Sequence, residues 1–395
     1  TGDIEEYPGL DSIPSYKVKV EDGKVYVTIN KKSLTLTKRV KEMCAIQPGT
    51  KHTVLLIGGG PASLVCAETL RQNCYPGHIV IVTKDSLPPI DKPKLSKAMN
   101  LESSSILLRS GDFYQQYTVE MWTGKEVVSV HPADKSYDDA KEIHSSSVGQ
   151  RAVVIGASFI GMEVASYLSD KATSVALVGS ASYPFEKSLG PEIGKMTMEM
   201  LEEKNVKFFM NDRVTEIRGE NGKIFSVCVI PNSDFLAGSE VAVDSGKAVI
   251  VDKYMRTNIP DIFSAGDVTS FPLSIRGDQQ VNIGHWQMSH SHGKVAALNM
   301  LKKPTKIKSV PFFWSALAGK SIRYTGYGEG YTEILVKGKV EERKFLAFYI
   351  KDEEVVAAAS LMFDPAVAQV AELMAEGKNI TKKQAQSDDL SWLQM

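Results

Sequence analysis

Hydrophobic and polar positions alternate in two short stretches near the start of the chain. In residues 16–20 and 24–28, valine or tyrosine recurs at every second position, and the polar turn Glu21-Asp22-Gly23 lies between the two stretches. A period of two is typical of β-strands, and a short turn with glycine joins such strands into a hairpin. We therefore predict a β-hairpin within residues 1–50, followed by a linker at Gly49.

Two longer stretches share one order of elements. An apolar run from Thr53 leads into a glycine turn, an amphipathic helix and the apolar segment 79–82. The same order recurs from Ala152, with a helix to about Leu168 and an apolar segment at 175–178. A strand, a glycine turn, a helix and a second strand form the βαβ unit of nucleotide-binding folds. The chain is therefore predicted to be α/β, with two Rossmann-like dinucleotide-binding domains.

The pattern changes again after about residue 305. Apolar segments at 334–336, 345–349 and 355–359 predict strands, and residues 365–376 predict a helix. This mixture is typical of an α+β domain. The predicted organisation is a hairpin and linker at 1–50, a first dinucleotide-binding domain in two parts at 51–150 and 251–305, a second at 151–250, and a C-terminal α+β domain at 306–395.

Composition narrows the class of protein. Lys and Arg number 46 against 47 Asp and Glu, giving a net charge of −1, so no nucleic-acid partner is predicted. No apolar run reaches the roughly 18 residues of a membrane-spanning helix, so we expect a protein that is not integral to a membrane. No pair of cysteines has the short spacing of a redox dithiol or a metal site. They are predicted to be packing residues or free thiols, with no metal site: Cys44, Cys66, Cys74 and Cys228.

The first glycine turn has the composition of a pyrophosphate-binding loop. Its glycines allow a tight turn and a close approach of the backbone to the ligand, and the helix that follows presents oriented N–H groups. Serine takes the third position, where glycine or alanine is usual. The acid expected after the second strand, for the ribose hydroxyls, has only Asp85 as a candidate. The residues predicted to bind a cofactor here are Gly58, Gly60, Pro61, Ala62, Ser63 and Asp85.

The second glycine turn matches the pattern less well. Gly156 and Gly161 occupy the first and third positions, but Ser158 stands in the middle, where a side chain approaches the pyrophosphate. The strand that follows ends at Gly179, so the carboxylate that reads a 2′-hydroxyl is missing. Two interpretations stay open: a nucleotide fold kept only for structure, or a working nicotinamide site with altered preference.

A third signature ends at Ala265-Gly266-Asp267. The preceding residues predict a strand, and the following ones a helix, so the carboxylate of Asp267 is expected at a helix N-terminus. There it either accepts a hydroxyl of a bound dinucleotide or simply caps the helix. The order of this signature after two glycine turns favours the ligand-binding interpretation.

In these three signatures the chain resembles the pyridine-nucleotide-dependent flavoprotein reductases of the ferredoxin-reductase and apoptosis-inducing-factor type, and among them the Rieske-containing branch. The resemblance implies bound flavin adenine dinucleotide (FAD), NAD(P)H as electron donor, and an iron–sulfur or other acceptor. A redox-sensing or cell-death signalling flavoprotein with little turnover is the alternative. Residues 1–50 resemble the end of a Rieske domain without its cysteine and histidine ligand pairs, so no iron–sulfur cluster is expected. A monomer or homodimer, in mitochondria or cytoplasm, follows from resemblance alone, since no targeting signal is readable.

The same resemblance assigns the reactive part of the site. Residues 91–97 match the family's "RPxLSK" element, with Lys92 in place of arginine. Lys97 would lie near the reactive nitrogen of the flavin and pair with Glu163, and these two are the predicted catalytic residues. Phe159 and Ile160 would lie where nicotinamide meets flavin.

Further residues are implied for the flavin itself. Asp267 would bind the ribityl chain, next to Gly266. His285 and Trp286 would line the pyrimidine side of the ring, and Trp314 would close over it.

Two segments are shorter than the family's pattern. The chain passes almost directly from the first fold to the second near 135–137, and a hairpin is missing near 227–230. Either these stretches were left out of the sequence or the protein lacks them. If they are missing, both nucleotide folds lose sheet strands, and unpaired strand backbone is costly.

Overall fold

The computed structural model of this chain describes residues 2–4, 9–29, 31, 34–47, 49–98, 100–127, 143–214, 233–236 and 239–394. The two shortened segments, near 135–137 and 227–230, lie outside the described residues, as does Cys228. Within the described part, no helix combines the length and the apolar character that crossing a membrane requires.

The N-terminal hairpin forms as predicted. Strands Lys17–Glu21 and Lys24–Thr28 pair antiparallel around Asp22 and Gly23, which both take positive φ. Every residue of both strands is exposed. The alternation of the sequence therefore sets the pairing, but neither face of the hairpin is buried by the residues described.

The first βαβ unit is a parallel sheet covered by a helix. Strand Thr53–Ile57 pairs with His78–Val82, which pairs with Val119–Trp122, and helix Pro61–Gln72 connects the first two. Alternate strand residues and the inner face of the helix form one apolar core. Three short helices precede the third strand: Lys92–Leu95, Ser103–Ile106 and Gly111–Gln116.

The second βαβ unit repeats this plan. Strand Arg151–Ile155, helix Phe159–Leu168 and strand Ser174–Gly179 are followed by helix Pro191–Glu202 and strand Val206–Met210. The three strands are parallel, with Ser174–Gly179 in the middle. A one-turn helix, Glu186–Leu189, lies in the loop after the middle strand. Both predicted βαβ patterns are confirmed.

The opening strand of each parallel sheet has one face exposed in the described residues. Leu55 and Val153 are 53% and 59% exposed although they belong to the opening strands of the two units. Each of these strands pairs with a single neighbour among the strands described. Parallel sheets normally have both faces covered, so the exposed faces of these two strands depart from the usual pattern within the described residues.

The second part of the first domain packs on its helix. Strands Val249–Ile250, Thr269–Leu273 and Gln279–Asn282 form a small sheet, and helix Trp286–Met300 follows. This helix lies so close to the first βαβ helix that a Cβ atom on Gly293 would stand 2.3 Å from the carbonyl oxygen of Ala62. The Ala-Gly-Asp signature precedes helix Trp286–Met300, so this close packing brings the signature to the start of the first βαβ helix.

The C-terminal region is a five-stranded antiparallel sheet. Along the sheet the strands are Phe312–Leu317, Lys320–Gly326, Glu354–Leu361, Lys344–Lys351 and Glu333–Lys339. Helices Ala366–Ala375 and Lys382–Gln386 follow. One face shares a core with the second βαβ unit, and the other packs on the two helices. The three predicted strands and the first helix are confirmed. The first two strands and the last helix were not foreseen.

The predicted surroundings of Asp267 were wrong on both sides of the signature. Phe263 makes only an isolated bridge to Arg256, and a turn and the strand Thr269–Leu273 follow the aspartate where a helix was expected.

Short 3-10 helices occur at Asp234–Leu236, Ser274–Arg276 and Ser391–Gln394. The domain boundaries proposed from the sequence stay predictions.

Candidate active site

The first glycine turn is an open cradle at a helix N-terminus. Gly58 has φ of +109°, which favours glycine, and a Cβ atom on Gly58 or Gly60 would meet no atom within 4 Å. By contrast, a Cβ on Gly59 would stand 2.6 Å from the hydroxyl of buried Thr83, so this glycine allows close packing. The helix then begins at Pro61, and no side chain in the described part of the chain caps it. Its first N–H groups are left for a ligand or water.

The Ala-Gly-Asp signature lies against this cradle. Gly266 is buried with φ of +89°, and a Cβ on it would stand 3.3 Å from that of Ala62. Its N–H donates to Nδ1 of His292 at 3.2 Å. The exposed carboxylate of Asp267 accepts the hydroxyl of Ser289 at 2.9 Å. The structure therefore brings the first and third signatures together, with Pro61, Ala62 and Ser63 half-buried between them.

Asp85 lies just beyond the second strand of the same unit. Its N–H donates to the hydroxyl of Thr83 at 3.2 Å, and its carbonyl accepts the N–H of Gly124 at 2.9 Å. These bonds hold its backbone at the carboxyl end of the sheet, where ligands of open α/β sheets bind. Its contact with a ribose stays a prediction.

The second glycine turn has the same local construction. Gly156 has φ of +107° and open space around its Cβ position, whereas a Cβ on Gly161 would stand 1.9 Å from the carbonyl oxygen of Gly156. Exposed Ser158 precedes the helix without capping it by a side-chain hydrogen bond to any described residue. The cradle is therefore open, and the serine hydroxyl makes no capping bond to the N–H groups of the helix.

Gly179 is not an open ribose-reading position. It is buried, and a Cβ on it would stand 2.9 Å from Cε of Met210 and 3.0 Å from Cβ of Ala157. The next residue, Ser180, is exposed. In the loop beyond, the carboxylate of Glu186 accepts the backbone N–H groups of residues 182 and 183. A side chain that reads the ribose would therefore come from Ser180 or from this loop.

Glu163 joins three parts of the chain in one buried cluster. Its side chain is 7% exposed, and its carboxylate lies 2.9 Å from Nζ of Lys97, whose side chain is 29% exposed. It also accepts the hydroxyls of Ser96 and, at 2.9 Å, Ser315. The first domain thus supplies Ser96 and Lys97, the second supplies the carboxylate, and the C-terminal sheet supplies Ser315. Lys97 additionally donates to the carbonyl of Pro93 at 3.3 Å.

His285 stands beside this cluster as a neutral imidazole. Burial, with a smaller effect from the charge of Lys97, lowers its pKa from 6.5 to about 4. Its Nδ1 accepts the N–H of Gln287 at the start of helix Trp286–Met300. Since Nδ1 is the acceptor, the neutral ring carries its proton on Nε2.

Aromatic rings surround the same place. Phe313 lies with its ring centroid 4.6 Å from that of Phe159 and 5.2 Å from that of His285. Trp314 contacts His285 edge to face at 6.4 Å. Trp286 instead packs on His290 at 4.7 Å.

Two further predicted site residues, Ile160 and Lys92, lie in the first turns of helices Phe159–Leu168 and Lys92–Leu95. Ile160 packs against the core that the second unit shares with the C-terminal sheet. Lys92 opens the short helix Lys92–Leu95 and is half-buried. The contacts of both with a nicotinamide or flavin stay predictions.

The serine hydroxyl groups that bond to the charged residues were not predicted from the sequence. Ser96 precedes Lys97 within a motif already identified, so it could have been named. Ser315 and Ser289 could not, because only the folded chain brings them to Glu163 and Asp267. The sequence feature that points to such residues is a polar side chain in a strand or helix that is otherwise buried, because a buried polar group needs a hydrogen-bond partner.

Comparison with known families agrees with this geometry. The sequence profile described as pyridine nucleotide-disulphide oxidoreductase matches residues 52–139 and 130–293. The profile described as reductase C-terminal matches residues 312–392. The two profiles divide the chain between the region of the glycine turns and the antiparallel sheet.

Individual relatives point the same way. Apoptosis-inducing factor 3 of Homo sapiens is 38% identical over 462 aligned positions, covering 100% of this chain and 76% of the relative. Because the alignment is longer than the 395 residues of the chain, this relative contains stretches that the chain lacks. NADH-rubredoxin oxidoreductase of Clostridium acetobutylicum is 24% identical over 354 positions, covering 78% and 90%.

The fold has solved counterparts. The reductase in the crystal structure of a covalent putidaredoxin reductase–putidaredoxin complex superposes with a TM-score of 0.78 at 19% identity, covering 86% of this chain and 97% of the other. The fold class predicted from the sequence is thereby confirmed. The chain belongs to the pyridine nucleotide-disulphide oxidoreductase family and is a flavoprotein oxidoreductase of its ferredoxin-reductase-like type.

Proposed function

We propose that this oxidoreductase binds FAD along the first cradle and passes electrons from a nicotinamide nucleotide to a separate acceptor. The observation that carries the proposal is the Glu163 cluster, because it joins the two βαβ units and the C-terminal sheet at one charged group. FAD, when bound, supplies a ring that accepts hydride and releases electrons singly or in pairs. The chain supplies the binding, orientation and charge.

The residues around the first cradle fit the phosphates and the ribityl chain of FAD. The open positions over Gly58 and Gly60 leave room for a pyrophosphate against the uncapped helix N-terminus. The exposed carboxylate of Asp267, oriented by Ser289, is an acceptor for a hydroxyl group. Asp85 is the candidate for the ribose at the other end.

Lys97 is proposed to place a positive charge beside the reacting ring. Its ammonium is held at 2.9 Å from a buried carboxylate, so its position is fixed before a ligand binds. A preorganised charge of this kind stabilises negative charge that develops in a transition state. Glu163 does not need to touch the ligand for this role, and it acts by positioning Lys97.

The neutral His285 is proposed to donate a hydrogen bond. With Nδ1 bonded to the helix start, its Nε2–H is the donor. Because its pKa is about 4, it keeps this state throughout the neutral pH range. It therefore contributes a dipole and no charge, and Lys97 is the cation at this point.

The second cradle is proposed to bind NADH or NADPH with little discrimination. Gly156 and Gly161 keep the pyrophosphate position open. No carboxylate stands at 179 or 180 to accept two ribose hydroxyls or to repel a 2′-phosphate. We therefore expect the two nucleotides to reduce the flavin at rates within about tenfold of each other, a difference of about 1.4 kcal/mol.

The electron acceptor is proposed to be a small iron–sulfur protein. Relatives are named as reductases of rubredoxin and ferredoxin, and one structure is titled as a complex with putidaredoxin. A monomeric or homodimeric state, a mitochondrial or cytoplasmic location and the lack of a cluster in this chain stay predictions from the resemblance.

The test is turnover with an added acceptor. Purified protein is loaded with FAD and mixed with NADH or NADPH, first alone and then with a plant-type ferredoxin. We expect rapid bleaching of the flavin band by either nucleotide and continued nucleotide consumption only with ferredoxin. Bound FAD that is reduced only over many minutes would favour the sensing or signalling function instead. Failure to bind FAD would overturn both.

A further inference from the structure

Two cysteines that are far apart in sequence meet behind the first βαβ helix. Cys74 lies at the C-terminal end of helix Pro61–Gln72, and Cys44 lies in the segment that leads into the first strand. The backbone N–H groups of both donate to one acceptor, the carbonyl oxygen of Arg71, at 3.0 Å from Cys44 and 3.2 Å from Cys74. The thiol of Cys44 also donates to the carbonyl of Tyr75 at 3.5 Å.

The helix end that carries Cys74 has an unusual residue choice. The backbone N–H of Cys74 donates to the carbonyl of Arg71, and the N–H of Tyr75 donates to the carbonyl of Leu70. These two bonds form the Schellman motif. The residue at this position has φ of +60°, a conformation for which glycine is usual. A cysteine there costs backbone strain, and Cys74 is an exposed free thiol.

The segment that carries Cys44 is docked along this helix end. Besides the bonds of Cys44, the N–H of Gln47 donates to the carbonyl of Pro76 at 3.0 Å. The residues after the helix are held by Arg71. Its buried guanidinium donates to four carbonyl oxygens, those of residues 75, 77, 117 and 118. Both cysteines are therefore held by backbone bonds on one rigid frame.

We propose that Cys44 and Cys74 form a reversible disulfide that fastens the N-terminal segment to the first nucleotide-binding unit. The two residues are neighbours, because their backbone N–H groups share the carbonyl oxygen of Arg71, and the side chain of Cys74 acts on the thiol of Cys44. Both are thiols in the structure. The site is a modification site in which a low-molecular-weight disulfide, such as glutathione disulfide, is the oxidant.

The exchange proceeds in two balanced steps. The thiolate of exposed Cys74 attacks one sulfur of glutathione disulfide, the sulfur–sulfur bond breaks, and the first glutathione leaves with the proton that Cys74 lost. The thiolate of Cys44 then attacks the sulfur of Cys74, and the second glutathione leaves with the proton of Cys44. Two protein thiols are oxidised and one disulfide is reduced.

The second step depends on pH. Burial raises the pKa of Cys44, the charge of Arg71 lowers it, and the neighbouring Cys74 raises it again. Because the net shift is upward, ring closure should accelerate as the pH rises above neutrality. Cys66 is a suitable control, since complete burial raises the pKa of its thiol to about 12.

The test is peptide mapping of the full chain after incubation with glutathione disulfide, in a Cys228→Ser background. We expect the loss of two thiols per chain and a cross-linked peptide pair containing Cys44 and Cys74. Dithiothreitol should reverse the cross-link, and Cys66→Ala should leave it unchanged. In Cys44→Ser, Cys74 should instead retain one glutathione.

The results that overturn the proposal are equally definite. Stable glutathione on Cys74 of the parent chain without a cross-link would show that the second thiol cannot reach. A cross-link that includes Cys66 would show that the packing around the helix is different. Cleavage by trypsin in residues 31–47 gives a second readout, since it should slow on oxidation in the parent and not in Cys44→Ser.

Discussion

The sharpest prediction concerns how Glu163 acts on the reaction. Lys97→Met removes the positive charge while keeping most of the side-chain volume, and Glu163→Gln keeps the shape but removes the charge that holds Lys97. If Lys97 stabilises charge developing during hydride transfer, its loss should cost about 2–4 kcal/mol, or roughly 30- to 900-fold in rate. FAD binding should change much less, because this contact matters most in the transition state.

The effect of Glu163→Gln follows from the contacts of the carboxylate. Its ion pair at 2.9 Å is formed with a lysine that is still 29% exposed, so solvent screening reduces the direct loss. A mispositioned ammonium still lowers the rate, and we expect a loss of about 1–2 kcal/mol, or roughly 5- to 30-fold. In a Lys97→Met background, the same substitution should change the rate less than about twofold, because there is no ammonium left to position.

The assay is anaerobic stopped-flow reduction of bound FAD by NADH, in the parent, both single variants and the double variant. Lys94→Met is the matched control, since Lys94 lies on the same short segment and pairs with Asp91 at the surface, at 3.3 Å. It should leave the rate unchanged. Additive losses in the double variant would refute a role for Glu163 through Lys97, and equal losses in rate and FAD affinity would make Lys97 structural.

Three other predictions rest on single features of the site. Asp267→Ala should weaken FAD binding by about 1.5–3 kcal/mol, roughly 10- to 150-fold in Kd, as measured by flavin fluorescence titration. The control, exposed Asp388→Ala, should leave the affinity unchanged. Unchanged affinity in Asp267→Ala would show that Asp267 does not bind FAD. Gly161→Ala should abolish reduction by NADH without releasing FAD, because its Cβ would stand 1.9 Å from the carbonyl of Gly156; reduction at the parent rate would show that this turn does not bind the nucleotide. Acid should destabilise the fold, because burial is the main cause that lowers the pKa of His285, His290 and His292 from 6.5 to about 4. Between these values the unfolded chain binds protons that the folded chain does not, so stability is lost as the pH falls, by about 2 kcal/mol per histidine from pH 7 to pH 5. Thermal melting at both pH values checks this, and equal melting temperatures would contradict it.

The sequence carried enough information for the elements that have a strong local pattern. The two βαβ units were predictable because their glycine turns stand between apolar strands and amphipathic helices. In these turns Gly58 and Gly156 take positive φ, and Gly59 and Gly161 allow close packing. The antiparallel strands with long apolar runs were predictable for the same reason. Strand Lys320–Gly326 was not, because its buried polar residues, such as Thr325, are satisfied only by the folded sheet.

The candidate site was less predictable than the fold. Lys97 and Glu163 were paired by resemblance, but Ser96 and Ser315 complete the cluster through contacts that no spacing in the sequence reveals. The pattern of Gly179 showed that no acid stands at the end of the strand, but it did not show that Met210 and Ala157 leave little room for any side chain there. Cys44 and Cys74 likewise meet only because a helix end and a linker share one carbonyl.

In the proposed function, this chain takes hydride from a nicotinamide nucleotide onto bound FAD. The most direct measurement is the visible spectrum of the FAD-loaded protein before and after anaerobic addition of one equivalent of NADH or NADPH. We expect a flavin spectrum that bleaches fully within seconds with either nucleotide, and a parallel sample of Lys97→Met that bleaches far more slowly. A protein that holds FAD but keeps its oxidised spectrum with both nucleotides would contradict it.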